Sequence, residues 1–153
     1  MDDRTLMETA VQAREYSYSP YSNFRVGAAL LCADGSVYTG CNMENAAFTP
    51  GICAERTAIY KAVSEARRSF LAIAIAGGPA AAGPGELSLT APCGVCRQVM
   101  REFCDPETFR IILGTGGEDL QSWLLKDLLP LSFGPENLAS GREPEKKKEV
   151  PGA

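Results

Sequence analysis

Histidine is absent from all 153 residues, and that one omission narrows the metal chemistry open to the chain. Without imidazole, a tightly held transition metal must rest mainly on thiolates. Long apolar runs are missing too, and the start, Met1-Asp2-Asp3-Arg4, is polar and acidic rather than leader-like. A cytoplasmic protein with no membrane segment is therefore expected. In a reducing compartment the six cysteines read as thiols rather than as a disulfide framework. Nor is there an excess of positive charge, since 15 Lys and Arg stand against 19 Asp and Glu, a net charge of −4. A polynucleotide needs clustered basic residues along a groove, so a small neutral substrate is expected and no nucleic-acid polymer. The run Lys146-Lys147-Lys148 does not change this, because Glu143, Glu145 and Glu149 flank it and Pro144 and Pro151 interrupt it.

What is present suits one compact domain. An apolar fraction of 45% supports a core over residues 1–133, followed by a polar, flexible tail at 134–153. Leu6, Met7, Ala10, Val11 and Arg14 lie at helical spacing, so a first helix is predicted to reach Tyr16, with Ser19-Pro20 closing it. Phe24 to Ala33 reads as a strand, Asp34-Gly35 as a hairpin turn, and Ser36 to Gly40 as the returning strand. Further elements are a helix over Cys53 to Ala66, a buried strand over Phe70 to Ala76, a helix over Gly94 to Phe103, a strand over Phe109 to Gly114, and a helical segment over Glu118 to Leu129. Gly77 to Ala91, rich in Gly, Ala and Pro, reads as a connection crossing the surface. Strands alternating with helices give an α/β fold, a sheet sandwiched by helices.

The chemistry concentrates in two short stretches, Cys53-Ala54-Glu55 and Pro92-Cys93-Gly94-Val95-Cys96. Cys93 and Cys96 have ligand spacing, and Cys53 supplies a third thiolate. Three protein ligands leave a zinc coordination position open, as in catalytic rather than structural sites. Water in that position becomes acidic enough to supply hydroxide near neutral pH, and Glu55, two residues from Cys53, is placed to move the protons. Cys53 falls at one predicted helix start and Cys93 and Cys96 at another, and partial positive charge there favours thiolate. Zinc with three thiolates is still formally −1. Arg56 is expected to offset that charge through donors to the ligand sulfurs, the plainer alternative being a surface arginine in a helical ion pair. Cys104 is a candidate fourth ligand, but it lies about two helical turns beyond Cys96. Cys32 and Cys41 read as small buried apolar residues.

These motifs resemble the short zinc-dependent cytidine deaminases. The likeness extends through Tyr21-Ser22-Asn23-Phe24-Arg25-Val26-Gly27-Ala28-Ala29, Gly40-Cys41-Asn42-Met43-Glu44-Asn45-Ala46-Ala47, Cys53 to Ala58, Pro92 to Val99 and Leu128 to Phe133, spanning residues 5 to 133. It implies a three-layer α/β/α fold around a mixed sheet of about five strands, with one zinc per subunit held by Cys53, Cys93 and Cys96. The implied reaction deaminates cytidine and 2′-deoxycytidine to uridine and 2′-deoxyuridine plus ammonia, by zinc-bound hydroxide at C4 with Glu55 as proton shuttle, in pyrimidine salvage. It further implies that Phe24 packs on the base, that Asn42 and Glu44 bond the ribose, that Arg56 bonds the ligand sulfurs, and that Phe133 reaches a neighbouring subunit's site in a homotetramer. Without the resemblance, Phe24 reads equally well as core and Asn42 as a turn residue. Phe48 stands where relatives often carry tyrosine, so a hydroxyl contact across the interface is expected to be absent. The 77–91 connection is longer than many relatives need. Two other readings remain, a deaminase of blasticidin-type aminopyrimidine antibiotics and a noncatalytic zinc-stabilised interaction module. Asn42-Met43-Glu44-Asn45 favours a ribose over the first, and Glu55 favours catalysis over the second.

Overall fold

The computed structural model describes residues 1–138; most of the predicted tail thus lies outside the described residues. Helix α1 covers Asp3–Arg14, where the Asp2 carboxylate accepts from the Thr5 amide at 2.8 Å and so satisfies a free helix-start donor. It ends two residues before the predicted Tyr16. Strand β1, Phe24–Cys32, turns back into β2, Val37–Cys41. Gly35 sits at φ +86° in that turn, and Asp34 Oδ1 accepts from the Ser36 amide at 3.0 Å, so both predicted turn residues are used. Helix α2, Ala54–Ser64, leads to β3, Phe70–Pro79, and α3, Gly94–Phe103, leads to β4, Arg110–Leu113.

The predicted helical segment over Glu118 to Leu129 is corrected. Gln121–Leu124 is an antiparallel edge strand, β5, and only Leu125–Leu128 is helical, as α4. Leu124, Leu125, Leu128 and Leu129 have helix-like spacing, whereas Gln121, Ser122 and Trp123 are exposed and show no apolar alternation. Their extended form comes from pairing with β4, Leu113 facing Gln121 and Arg110 facing Leu124. The resulting five-stranded sheet has the order β2-β1-β3-β4-β5, with β3 and β4 parallel and the other pairs antiparallel, which makes it mixed. Among the described residues no helix is long and apolar enough to cross a membrane.

Alternation along the strands separates two buried layers. Val26, Ala28, Leu30, Ile73, Ile75, Ile111 and Leu113 face α2 and α3, meeting Ala58, Ile59, Ala62, Cys96 and Met100. On the other side Ala29, Leu31, Ala72, Ala74, Ala76 and Ile112 face Leu6, Met7 and Ala10 of α1. Two glycines let the helices sit almost on the sheet backbone. A Cβ on Gly27 would lie 2.1 Å from the Ala10 carbonyl oxygen, and one on Gly40 would lie 2.3 Å from the Ala54 carbonyl oxygen.

The 77–91 stretch is more than a surface crossing. Strand β3 continues to Pro79, which pairs with Phe24, and Leu87 folds back into the buried layer beneath α1. Arg14, only 2% exposed, donates to the carbonyls of Arg25, Gly78, Pro79 and Ala82, tying that stretch to α1 and β1. After α4, a short 3-10 turn at Pro135–Leu138 opens the segment predicted as a flexible tail. There Arg101 pairs with Glu136 at 2.8 Å, so the chain is still bound to the domain beyond 133.

The contact at Gly40 places the first turn of α2, so Gly40→Ala is expected to push that turn outward. A loss of about 1–3 kcal/mol, as for an overpacked core, is the expected result in urea unfolding followed by circular dichroism.

Candidate active site

Two helix starts meet at one cluster of sulfur. Cys53 is the N-cap residue of α2 and Cys93 that of α3, both with extended backbone and with no side-chain capping bond to occupy the thiol. Cys96, in the first turn of α3, is fully buried. The three sulfur atoms all lie within 4.8 Å of one another, with Cys53 and Cys93 separated by 3.8 Å. Tetrahedral zinc with sulfur at about 2.3 Å requires ligand sulfurs about 3.8 Å apart, so the gathered thiols fit that ion in both softness and spacing.

Charge is already distributed for such a role. Arg56 Nη2 donates to Cys53 Sγ at 3.5 Å, and that bond is the largest cause raising the guanidinium pKa. The Cys53 thiol is pulled down, first by a hydrogen bond from Cys96 and then by Arg56 and Cys93. Cys96 is pushed up by the same shared bond and by burial. Arg56 Nε is buried with no hydrogen-bond partner, which leaves a donor of this arginine unspent inside the site.

Glu55, on the first turn of α2, is only 4% exposed, and burial raises its carboxyl pKa against a smaller opposing bond from Cys96. A carboxyl in that condition holds a proton more readily near neutral pH than a solvated one. The structure thus brings Cys53, Cys93, Cys96, Glu55 and Arg56 to one place. Cys104 is excluded as a partner by its position at the opposite end of α3, where burial alone pushes its thiol up to about 12. Cys32 is buried and Cys41 half-buried, and desolvation raises both thiols.

A second group forms around the start of β1. Phe24 is half-buried against the same apolar cluster that contains Cys53, Ala54 and Cys96. Asn42 Nδ2 donates to the Phe24 carbonyl at 2.9 Å while its Oδ1 accepts from the Val26 amide at 2.9 Å and from the Ser17 hydroxyl. Those partners fix which end of the amide is which and leave one N–H to spare. Glu44 Oε1 accepts from the amides of Tyr21 at 2.9 Å and Ser22 at 3.1 Å, and bonds from Ser22 lower its pKa. Asn23, between Ser22 and Phe24, adopts φ +53°, a left-handed turn suited to asparagine. Phe133 stands apart on the segment after α4, 59% exposed, and Phe48 is fully exposed in the loop before α2.

Sequence reasoning passed over Arg97. Its Nε donates to the Pro92 carbonyl at 2.7 Å and its Nη1 to the Leu128 carbonyl at 2.5 Å, which fixes the residue before Cys93. The available signal was its place directly after Cys96, one helical turn from that carbonyl. A hollow of about 680 Å³ between α1, β2 and α2, lined by Thr9, Tyr16, Thr39 and Lys61 among others, contains none of the three clustered cysteines. We place the site at the cysteines, because the chemistry is there.

Comparison with known proteins agrees with this geometry. Residues 1–112 match the family described as "Cytidine and deoxycytidylate deaminase zinc-binding region". A cytidine deaminase of Halalkalibacterium halodurans is 46% identical over 138 residues, covering 90% of this chain and 98% of the relative. One from Sporosarcina psychrophila is 44% identical over 143 residues, with 94% and 99% covered. The crystal structure of cytidine deaminase from Burkholderia pseudomallei superposes with a TM-score of 0.77 at 44% identity, over 87% of this chain and 100% of that one. The enzyme from Mycobacterium tuberculosis gives 0.72 at 37% identity, over 88% and 98%. A mixed sheet between helices, three thiols at zinc spacing and similarity along nearly the whole length lead to one assignment: the chain belongs to the cytidine and deoxycytidylate deaminase family, through its zinc-binding region.

Proposed function

We propose that the chain hydrolyses cytidine and 2′-deoxycytidine to uridine and 2′-deoxyuridine, releasing ammonia. The observation that carries this reading is the buried carboxyl of Glu55 beside three thiols at zinc spacing, a combination that a purely structural zinc site has no use for. Zinc, when held by Cys53, Cys93 and Cys96, supplies a Lewis acid that acidifies water near neutral pH. The chain's own residues do the rest. Glu55 takes the proton of the attacking water and passes it to N3 of the cytosine ring, which makes C4 the electrophilic atom. It then carries the second water proton to the exocyclic nitrogen, which departs as ammonia. One water is consumed and the new carbonyl remains on C4.

Substrate placement follows from the second group. The half-buried Phe24 ring covers the base, while the spare N–H of Asn42 and the ionised Glu44 receive the sugar hydroxyls. This pair favours a ribose-bearing substrate over an aminopyrimidine antibiotic. Arg56 offsets the thiolate charge that would otherwise weaken the Lewis acid. We further propose a homotetramer in which Phe133 completes a neighbour's site, supported by the open apolar side chains of Phe48, Leu131 and Phe133. A reducing compartment, the cytoplasm, suits a site made of three thiolates.

Loss of the 4-amino group, followed by ultraviolet absorbance, tests the reaction directly. Glu55→Gln is expected to keep zinc and bind cytidine while turnover falls by at least about a hundredfold; near-normal turnover would falsify the assigned role. Chelation should abolish activity, with recovery on added zinc, and activity that survives with no metal left would refute the metal's part. Arg56→Ala is expected to retain most of its zinc by mass spectrometry yet lose turnover per bound zinc, and unchanged turnover would remove the charge argument.

A further inference from the structure

Past α4 the chain makes a turn that its own residues do not explain. Leu131 adopts φ +49°, a conformation a branched side chain rarely takes, and it is fully exposed, so no packing of its own holds it there. The restraint comes from the outer face of α3. Gln98 Nε2 donates to the Phe133 carbonyl at 2.9 Å, Arg101 Nε to Ser132 Oγ at 2.9 Å, and Arg101 Nη2 to Glu136 Oε2 at 2.8 Å. The Arg101 side chain is only 11% exposed, because the segment lies across it. Gly134 makes this possible: it is buried against the guanidinium, and a Cβ there would lie 2.4 Å from Arg101 Cζ, so a side chain would displace the Arg101 head from its bonds. Gly134 N–H in turn bonds Asn137 Oδ1 at 2.8 Å, and the Asn137 amide returns to the Gly134 carbonyl at 3.0 Å. The Phe133 backbone is thus gripped on both sides while its ring stays open.

We infer that Gln98 and Arg101, with Gly134 seated on the guanidinium, form a clamp that sets the position of Phe133 and so positions substrate. The inference rests on the reading above, in which Phe133 completes a site. It makes α3 a two-sided element. Cys93 and Cys96 at its N-terminal end serve the metal, Cys96 and Met100 face the core, and Gln98 and Arg101 hold the aromatic segment outside. The ring offered to a neighbour's site is thus indexed to a helix of its own subunit rather than to a loop. Neither residue touches substrate, so both are positioning residues. Arg101 depends on its forked donors, which reach Ser132 and Glu136 at once, and a lysine has no such fork.

The test is a set of double-mutant cycles against Phe133→Ala, in protein with one zinc per chain. Gln98→Ala, Arg101→Ala and Gly134→Ala should each raise KM for cytidine, by up to about tenfold, with kcat changed less than about twofold, as for loss of uniform binding. Arg101→Lys should fail to restore KM. In the Phe133→Ala background the same substitutions should add nothing further, because the ring they position is gone. Clamp variants that leave KM unchanged, or whose effects add to that of Phe133→Ala, would overturn the clamp while leaving the role of Phe133 intact. A normal KM in Phe133→Ala would overturn that role and the clamp with it, and no deamination by the unmodified chain would overturn both at the outset. Should Arg101→Ala fail to fold, Glu136→Gln and Gln98→Ala, whose side chains are exposed, run the same cycles with the same outcomes.

Discussion

Negative charge packed into a small volume is the constraint on which the rest of the site depends. Three thiolates and a carboxylate within one cluster would repel one another strongly in a partly buried setting. A divalent zinc leaves such a set at −1 from the sulfurs alone, and the chain has no histidine to substitute a neutral ligand for an anionic one. Three features offset this. Arg56 adds a permanent positive charge directly on Cys53, two helix N-termini each contribute a partial positive charge, and burial favours the protonated form of Glu55. With Arg56 counted beside zinc and three thiolates, the local sum approaches zero before Glu55 is included. On the proposed reading, a Glu55 carboxylate that takes up the water proton also lowers the repulsion around the metal, and burial favours that uptake.

Bringing two helix starts to one point places demands on the sheet beneath them. Helix α2 reaches its position because Gly40 lets the Ala54 carbonyl come against β2, and α1 reaches the opposite face because Gly27 admits the Ala10 carbonyl. Along β3 the face toward α1 is all alanine at 72, 74 and 76, whereas the face toward α2 and α3 carries Ile73 and Ile75. The thinner side is closed by α1 and Leu87, and Arg14 joins that helix to the carbonyls at the end of β3. Its four acceptors satisfy a guanidinium that burial would otherwise make costly. The end of β3 held in this way pairs with Phe24, so a buried arginine on one face of the sheet supports the residue proposed to cover the base on the other.

Much of this was readable because it is local. Cys53 before a helix and Cys93 with Cys96 at the start of another need only helix-start signals and ligand spacing, and α3 runs from Gly94 to Phe103 as expected because Pro92 and Asp105-Pro106 bracket it. The β1–β2 hairpin and the alternation of Ile73 and Ile75 with alanine along β3 were readable for the same reason, whereas the mixed order of the sheet came only with the resemblance. What escaped depends on partners far along the chain. Strand β5 is extended because β4 lies beside it, not because Gln121, Ser122 and Trp123 alternate in polarity. Arg14 read as one more position on a helix face, yet its acceptors lie up to 68 residues away. The grip of α3 on Ser132, Phe133 and Glu136 spans some thirty residues, and no spacing rule links them.

Asn42 shows how a structural and a functional reading of one residue can both hold. Its carboxamide bridges the Phe24 carbonyl and the Val26 amide, which pins the first residues of β1, and this is the work of a turn residue. Glu44 does the same for the preceding loop through the amides of Tyr21 and Ser22. Neither commitment consumes the whole side chain: an N–H is left on Asn42, and a carboxylate offers more acceptor positions than two amides occupy. Polar groups already fixed by internal bonds lose little freedom when a sugar arrives, so contacts made with the remaining lone pairs and hydrogens contribute more fully to binding. On the proposed reading, the bonds that hold the Phe24 loop in place are also what orient the hydroxyl-binding groups, which couples the position of the base to that of the sugar before substrate enters.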